Sequence, residues 1–135
     1  MADYTLIFDG GSLGNPGPGY GSFRLIRNAD GRKRTRRLDF GPQVTNNQAE
    51  YRALIAGLAH LVAMIERAGQ NPGDYSVAVQ GDSLLVVNQV TGQWKVREPG
   101  LKPLHEQAVA LYRRFHPDST ITWHERAESV RVLGH

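Results

Sequence analysis

Polar and apolar residues alternate through the first part of the chain and then change to a helical spacing. Three short β-rich runs are predicted to form strands: Tyr4–Phe8, Gly21–Arg27 and Arg32–Phe40. Between the last two runs, Asn28–Gly31 (NADG) is typical of a hairpin turn. The segment GGSLGNPGPGYG after Asp9 is dense in Gly and Pro, which predicts a turn or loop. The chain is therefore predicted to open as a three-stranded antiparallel meander, with Asp9 ending the first strand.

A long helix is predicted from about Asn46 to Ala68. Thr45 followed three residues later by Gln48 fits a capping box, in which each side chain binds a free backbone N–H at the helix start. Apolar residues then recur along one helical face: Leu54, Leu58 and Leu61. Glu50 heads this stripe, and a carboxylate buried there needs a cationic partner, either Arg, Lys or a metal ion. Taken alone, Glu50 is better explained as a first-turn acid that complements the helix dipole.

The second half of the chain alternates between strand and helix patterns. The predicted elements are a strand at Tyr75–Gln80, a short helix at Leu84–Val90, a helix at Leu101–Phe115 and a strand at Thr120–His124. No element is predicted for the last ten residues. The strand YSVAVQ is mostly apolar on both faces, which indicates a central position. This order predicts one α/β domain over residues 1–135, with a five-stranded sheet, part antiparallel and part parallel, and helices on its faces.

Composition excludes several classes of protein but does not indicate a function. A chain of 135 residues is long enough for one domain with a sizeable core. It has no cysteine, which excludes disulfide scaffolds, zinc–cysteine sites and thiol catalysis and suits a reducing cytoplasm, where we expect it to act. No apolar run approaches the roughly 20 residues that span a bilayer, and the N-terminus lacks the pattern of a secretory signal. We therefore expect no membrane partner.

The basic residues are few in excess but are clustered in one segment. The formal net charge is only +3, but residues 32–37 read RKRTRR. This run is consistent with a solvated edge strand that is protected from aggregation by its charge. It is equally consistent with a ridge that contacts phosphates.

Three acids stand where a site is expected to form. Asp9 and Asp82 lie at the carboxyl ends of predicted strands, where ligands bind in sheets of this kind. Glu50 can reach the same place from the long helix. Asp9 alone is readily explained as a turn residue and Asp82 as a helix N-cap. Three adjacent carboxylates repel one another unless a cation is present. Hard oxygen ligands favour Mg²⁺ or Mn²⁺, and such sites handle phosphodiester chemistry.

The chain resembles type 1 ribonuclease H along nearly its whole length. The matching segments are FDGGSLGNPGPGYG around Asp9, TNNQAEYRALIAGL around Glu50 and QGDSLLVVNQVTGQWKV around Asp82. The resemblance implies an endonuclease that hydrolyses the RNA strand of RNA–DNA hybrids with two Mg²⁺ ions, Mn²⁺ being a substitute, and leaves 3′-hydroxyl and 5′-phosphate ends. It makes Asp9, Glu50 and Asp82 three of the four catalytic, metal-binding acids. We expect a monomer.

The same resemblance implies a set of substrate contacts: Gly11, Ser12, Asn15, Thr45, Asn46, Gln48 and Trp94. Asn15, Asn46 and Gln48 would contact the minor groove and the 2′-OH that distinguishes RNA from DNA. Thr45 and Asn46 would form a phosphate pocket for the DNA strand at the helix start. Trp94, followed by Lys95 and Arg97, would line the DNA-strand channel, unless its ring only packs under the connector.

The end of the chain departs from the family pattern. Arg126, Ser129 and Val132 fall at the positions of the family's Arg, Asn and Ala, and Leu133 falls on the fourth catalytic Asp. Leucine cannot bind a metal, which leaves three explanations. The fourth ligand comes from His135, the terminal carboxylate or Glu128; or three carboxylates act with an extra water; or cleavage is impaired and the chain is a hybrid-binding module.

Overall fold

Residues 1–134 of the computed structural model are described, and they form a mixed sheet covered by helices. The strands are β1 (Tyr4–Ser12), β2 (Gly17–Arg27), β3 (Arg32–Val44), β4 (Val77–Gly81) and β5 (Thr120–Trp123). The helices are α1 (Asn46–Arg67), α2 (Leu84–Val90), α3 (Lys102–Tyr112) and α4 (Arg126–Leu133), with a 3₁₀ turn at Pro72–Asp74. The predicted five-stranded α/β fold is confirmed.

The strands lie in the order β3-β2-β1-β4-β5. Strands β1, β2 and β3 form the predicted antiparallel meander, whereas β4 and β5 join β1 in parallel. Phe8 of β1 lies opposite Gly81 of β4, and Gly81 lies opposite Trp123 of β5. The residues that follow these three positions therefore gather at one edge of the sheet.

Helix α1 packs across one face of the sheet and α4 across the other. Leu54, Leu58 and Leu61 are fully buried against the first face, as the helical stripe predicts. On the opposite face, Val132 and Leu133 of α4 pack against Ile7 of β1. The two helices thus approach β1 from opposite sides.

The first two strands are longer than predicted. GGSLGNPGPGYG was expected to be a turn or loop, but β1 continues to Ser12 and β2 already begins at Gly17. Asp9 consequently lies within β1, opposite Ser22, and does not end the strand. The glycines that suggested a loop instead allow close packing: a Cβ on Gly10 would lie 2.4 Å from the backbone of Ala49 in α1.

Other boundaries shift by a few residues. Strand β3 runs to Val44, β4 starts at Val77, and α3 is shorter at both ends than the predicted Leu101–Phe115. Helix α4 was not predicted: it has no side-chain cap, and its contacts to the sheet are distant in sequence. Within residues 1–134, no helix is both long and apolar enough to cross a membrane.

Candidate active site

Two of the three predicted acids lie side by side because their strands are parallel neighbours. Phe8 and Gly81 are directly paired, so Asp9 and Asp82 follow at the same edge. The side chain of Asp9 has no solvent exposure, and that of Asp82 is 8% exposed. Burial at this depth is unusual for acids and requires compensating charge or hydrogen bonds.

Glu50 reaches the same place from the first turns of α1. The capping box is confirmed: Gln48 N donates to Thr45 Oγ1 at 3.1 Å, and Thr45 N donates to Gln48 Oε1 at 3.0 Å. This start directs Glu50 inward, where Gly10 N donates to its Oε1 at 3.2 Å. One carboxylate oxygen each from Asp9, Glu50 and Asp82 lies within 4.8 Å of the other two. We call these three residues the carboxylate centre.

The carboxylate centre changes the protonation of its own members. Burial, followed by the hydrogen bond and charge of Asp9, raises the pKa of Glu50 well above its usual range. Burial also raises the pKa of Asp9, and the neighbouring Arg126 guanidinium opposes that change. Glu50 Oε2 is buried, and no N–H or hydroxyl group within residues 1–134 donates to it. The centre therefore has more acceptor oxygen than the described residues satisfy.

Arg126 is the cation that contacts this centre. Its Nη1 donates to Asp9 Oδ2 at 2.6 Å and to Asp82 Oδ2 at 3.0 Å. A cationic partner was predicted for Glu50, but Arg126 was not predicted to contact the site. A signal was present, because Arg126 comes just after β5, and β5 ends at the same sheet edge as β4. Trp123 adds a second contact there, donating from Nε1 to the Asp82 carbonyl oxygen at 3.1 Å.

Position 133, where the family resemblance predicts a fourth acid, has an apolar side chain. Leu133 is 2% exposed and packs against Ile7 and Val132. Glu128, one candidate for the fourth ligand, instead pairs with Arg131 on the surface of α4. His135 and its terminal carboxylate lie outside the described residues. No fourth acid joins the carboxylate centre within residues 1–134.

The predicted substrate contacts at the start of α1 lie together beside the centre. Ser12 N donates to Asn46 Oδ1 at 2.9 Å, and Asn46 N donates to Asn15 Oδ1 at 2.9 Å. These bonds tie the loop after β1 to the helix start, close to Thr45 and Gln48. A Cβ on Gly11 would lie 2.5 Å from the Tyr20 hydroxyl, so a side chain there would require the Tyr20 ring to move. The cluster is a polar surface next to the carboxylates.

Trp94 lies in the connector between α2 and α3. Trp94 is 47% exposed, so about half of its surface is not covered by the connector or the helices. The ring borders open grooves on two sides, one of them lined by Lys95 and Lys102 and the other by Arg97. An exposed aromatic ring among cations is the combination that contacts single nucleic-acid strands in other proteins.

The mixed sheet and its carboxylate centre define a ribonuclease H-like fold, and comparisons with known proteins agree. The family model described as reverse transcriptase-like matches residues 8–132. The chain belongs to this family, and within it to the ribonuclease HI-like proteins.

Individual relatives share most of this chain. Ribonuclease HI of Halobacterium salinarum is 38% identical over 125 residues, covering 93% of this chain and 58% of that protein. A crystal structure of RNase H1 from the same organism matches with a TM-score of 0.80 at 36% identity, over 95% of this chain and 89% of that one. The bifunctional protein Rv2228c of Mycobacterium tuberculosis is 44% identical over 108 residues, 79% of this chain but only 27% of that protein.

One structural neighbour includes a nucleic acid. LC11-RNase H1, solved in complex with an RNA/DNA hybrid, matches with a TM-score of 0.82 at 29% identity, over 95% of this chain and 89% of that one. The chain spans about a quarter of the mycobacterial relative and 58% of the archaeal one.

Proposed function

We propose that this chain is an endonuclease that hydrolyses the RNA strand of RNA–DNA hybrids and leaves 3′-hydroxyl and 5′-phosphate ends. The observation that carries the proposal is the carboxylate centre, with oxygens of Asp9, Glu50 and Asp82 within 4.8 Å of one another. Membership of the ribonuclease HI-like proteins supports the choice of substrate, as does the hybrid bound to LC11-RNase H1.

The residues present fit divalent ions. All three donors are carboxylates, which suit hard cations such as Mg²⁺ or Mn²⁺. Glu50 Oε2, buried and without a donor, is an acceptor that a cation would satisfy. We propose that Asp9, Glu50 and Asp82 hold two such ions when substrate is bound. The chemistry supplied there is activation of the attacking water and stabilisation of the leaving oxygen.

The protein's own groups would hold and orient the substrate. The capping box and Asn15 fix the start of α1. The side-chain amides of Asn46 and Gln48 would therefore contact a bound strand from a rigid support. Such donors and acceptors suit the 2′-OH of the RNA strand. Positive partial charge at the helix start would attract a DNA phosphate at Thr45 and Asn46. Trp94, with Lys95 and Arg97, would guide the DNA strand.

The test is cleavage of an end-labelled RNA–DNA hybrid with Mg²⁺ and Mn²⁺ compared side by side. We expect the wild type to cut only the RNA strand. Asp9→Asn, Glu50→Gln and Asp82→Asn should each nearly abolish cutting, because each removes one ligand of the centre. Full activity of Asp82→Asn would contradict the assignment of the centre.

Leu133 favours one alternative, a hybrid-binding module with impaired cleavage. At the position of the fourth acid, the chain has a buried apolar side chain, and Arg126 already neutralises part of the centre. Retained hybrid binding without any cut in either metal would support this alternative. A strong gain of cleavage in Leu133→Asp would identify position 133 as the vacated ligand site.

A further inference from the structure

A second positively charged surface lies at the opposite edge of the sheet from β5. Strand β3 and the second half of α1 border an open groove of about 450 Å³, which we call the β3–α1 groove. Arg34 and Arg36 line it from alternate positions of β3, and His60 and Arg67 line it from α1. Phe23 and Leu38 are among its apolar lining residues.

The cations of this groove are not neutralised by the protein. Arg34, Arg36 and Arg67 are exposed, and none of them forms an ion pair within residues 1–134. By contrast, Arg27 and Arg114 nearby are paired with Asp30 and Glu66. Three unpaired guanidiniums at one groove create a local field that favours an anionic ligand.

His60 lies among these arginines on the wall of the groove. Its Nε2 is buried and has no hydrogen-bond partner within the described part of the chain. Burial lowers the pKa of His60, and the charges of Arg36, Arg34 and Arg67 lower it further. The imidazole is therefore a polar group on the groove wall whose hydrogen bonding the protein does not complete.

The groove is remote from the carboxylate centre. His60 and Arg67 lie ten and seventeen residues beyond Glu50 on the same helix, or about 15 and 25 Å along its axis. A ligand in the groove therefore contacts the protein at a separate place from the scissile phosphate.

We infer that the β3–α1 groove binds the phosphate backbone of a nucleic acid, as a second contact for a hybrid that extends beyond the active site. Guanidiniums bind phosphates bidentately, and Arg32 extends the row along the same face of β3, which suits a long polyanion better than a single small anion. The identity of that polyanion as a hybrid rests on the proposed function; the phosphate contact does not.

The first test measures binding of a fluorescent hybrid of about 30 base pairs, roughly 100 Å long, in EDTA over a series of salt concentrations. The triple variant Arg34→Gln/Arg36→Gln/Arg67→Gln should bind roughly tenfold more weakly at low salt, and its salt slope should fall by about two to three. Lys33→Gln removes one positive charge from the opposite face of β3 and should behave like the wild type. An unchanged slope in a folded triple variant overturns the inference.

The second test follows the His60 imidazole by NMR as the same hybrid is added. The resonance should shift with the hybrid in the wild type, and polyglutamate of matched charge should not reproduce the shift. A His60 signal that ignores saturating hybrid, or responds equally to polyglutamate, overturns the assignment to nucleic acid. Cleavage is measured in a separate assay. If the wild type binds hybrid through the groove but never cuts it, the proposed nuclease activity is refuted and the groove contact stands. If the wild type cuts normally and the groove substitutions have no effect on binding, the groove contact is refuted and the nuclease activity stands.

Discussion

The positive charge of Arg126 partly neutralises the carboxylate centre. A divalent ion that binds there would compete with the guanidinium for the same carboxylates. It contacts Asp9 at 2.6 Å and Asp82 at 3.0 Å, the same carboxylates that are proposed to bind metal. Removing one partner of a fully buried ion pair costs about 3–5 kcal/mol. The Arg126 side chain is 54% exposed, so solvent screening reduces the expected loss to about 1–3 kcal/mol.

Arg126→Gln should therefore lower the free energy of unfolding by about 1–3 kcal/mol in EDTA, measured by urea denaturation. The same substitution should tighten Mn²⁺ binding, because the ion no longer competes with a guanidinium. If the whole of about 1–3 kcal/mol opposes metal binding, the Kd measured by calorimetry should fall roughly 5- to 150-fold.

Arg131→Gln is the matched control. It removes an arginine from the same helix whose partner, Glu128, lies on the surface, where solvent screening leaves an ion pair with little effect on stability. Its metal affinity should equal that of the wild type. A Kd that is unchanged or weaker in Arg126→Gln would refute the competition between arginine and metal.

Three further predictions follow from single side chains. Thr45→Ala breaks the capping box and should cost about 1 kcal/mol in urea denaturation; no loss would mean that other contacts hold the start of α1. Leu133→Asp should lose about 2–5 kcal/mol in EDTA, because packing against Ile7 disappears; wild-type stability would contradict the apolar role. His60 has a lowered pKa, so stability should decrease as pH falls below about 6.5. His60→Gln should remove that part of the decrease, and a pKa at or above 6.5 by NMR titration would refute it.

Helix α1 was predictable because short-range interactions determine where it starts and which face is buried. The capping box at Thr45 and the stripe that begins at Leu54 depend on residues three and four apart, so α1 could be placed from the sequence. The proximity of Asp9, Glu50 and Asp82 was predicted with one further assumption, that the strands of Asp9 and Asp82 are neighbours. The structure meets that assumption through the parallel pairing of β1 and β4.

Interactions between distant segments were not predictable in the same way. The pairing of β1 with β2 continues through Gly10 and Gly11, which lie opposite Gly21 and Tyr20, whereas composition alone indicated a loop. Helix α4 has eight residues and no side-chain cap, so its stability depends on tertiary packing, as is usual for short helices. Arg126 was missed for that reason, since its contact with Asp9 exists only once α4 has docked.

Leu133 and Arg126 depend on each other through α4. Seven residues separate them, two helical turns or about 10 Å. Leu133 and Val132 hold the end of the helix against Ile7 by apolar contact, and this places the start of the helix, with Arg126, over Asp9 and Asp82. An acid at position 133 would weaken that anchor while adding negative charge near the sheet. Stability in EDTA should then fall more in Leu133→Asp than in Arg126→Gln, because the first substitution loosens the helix that carries the second residue.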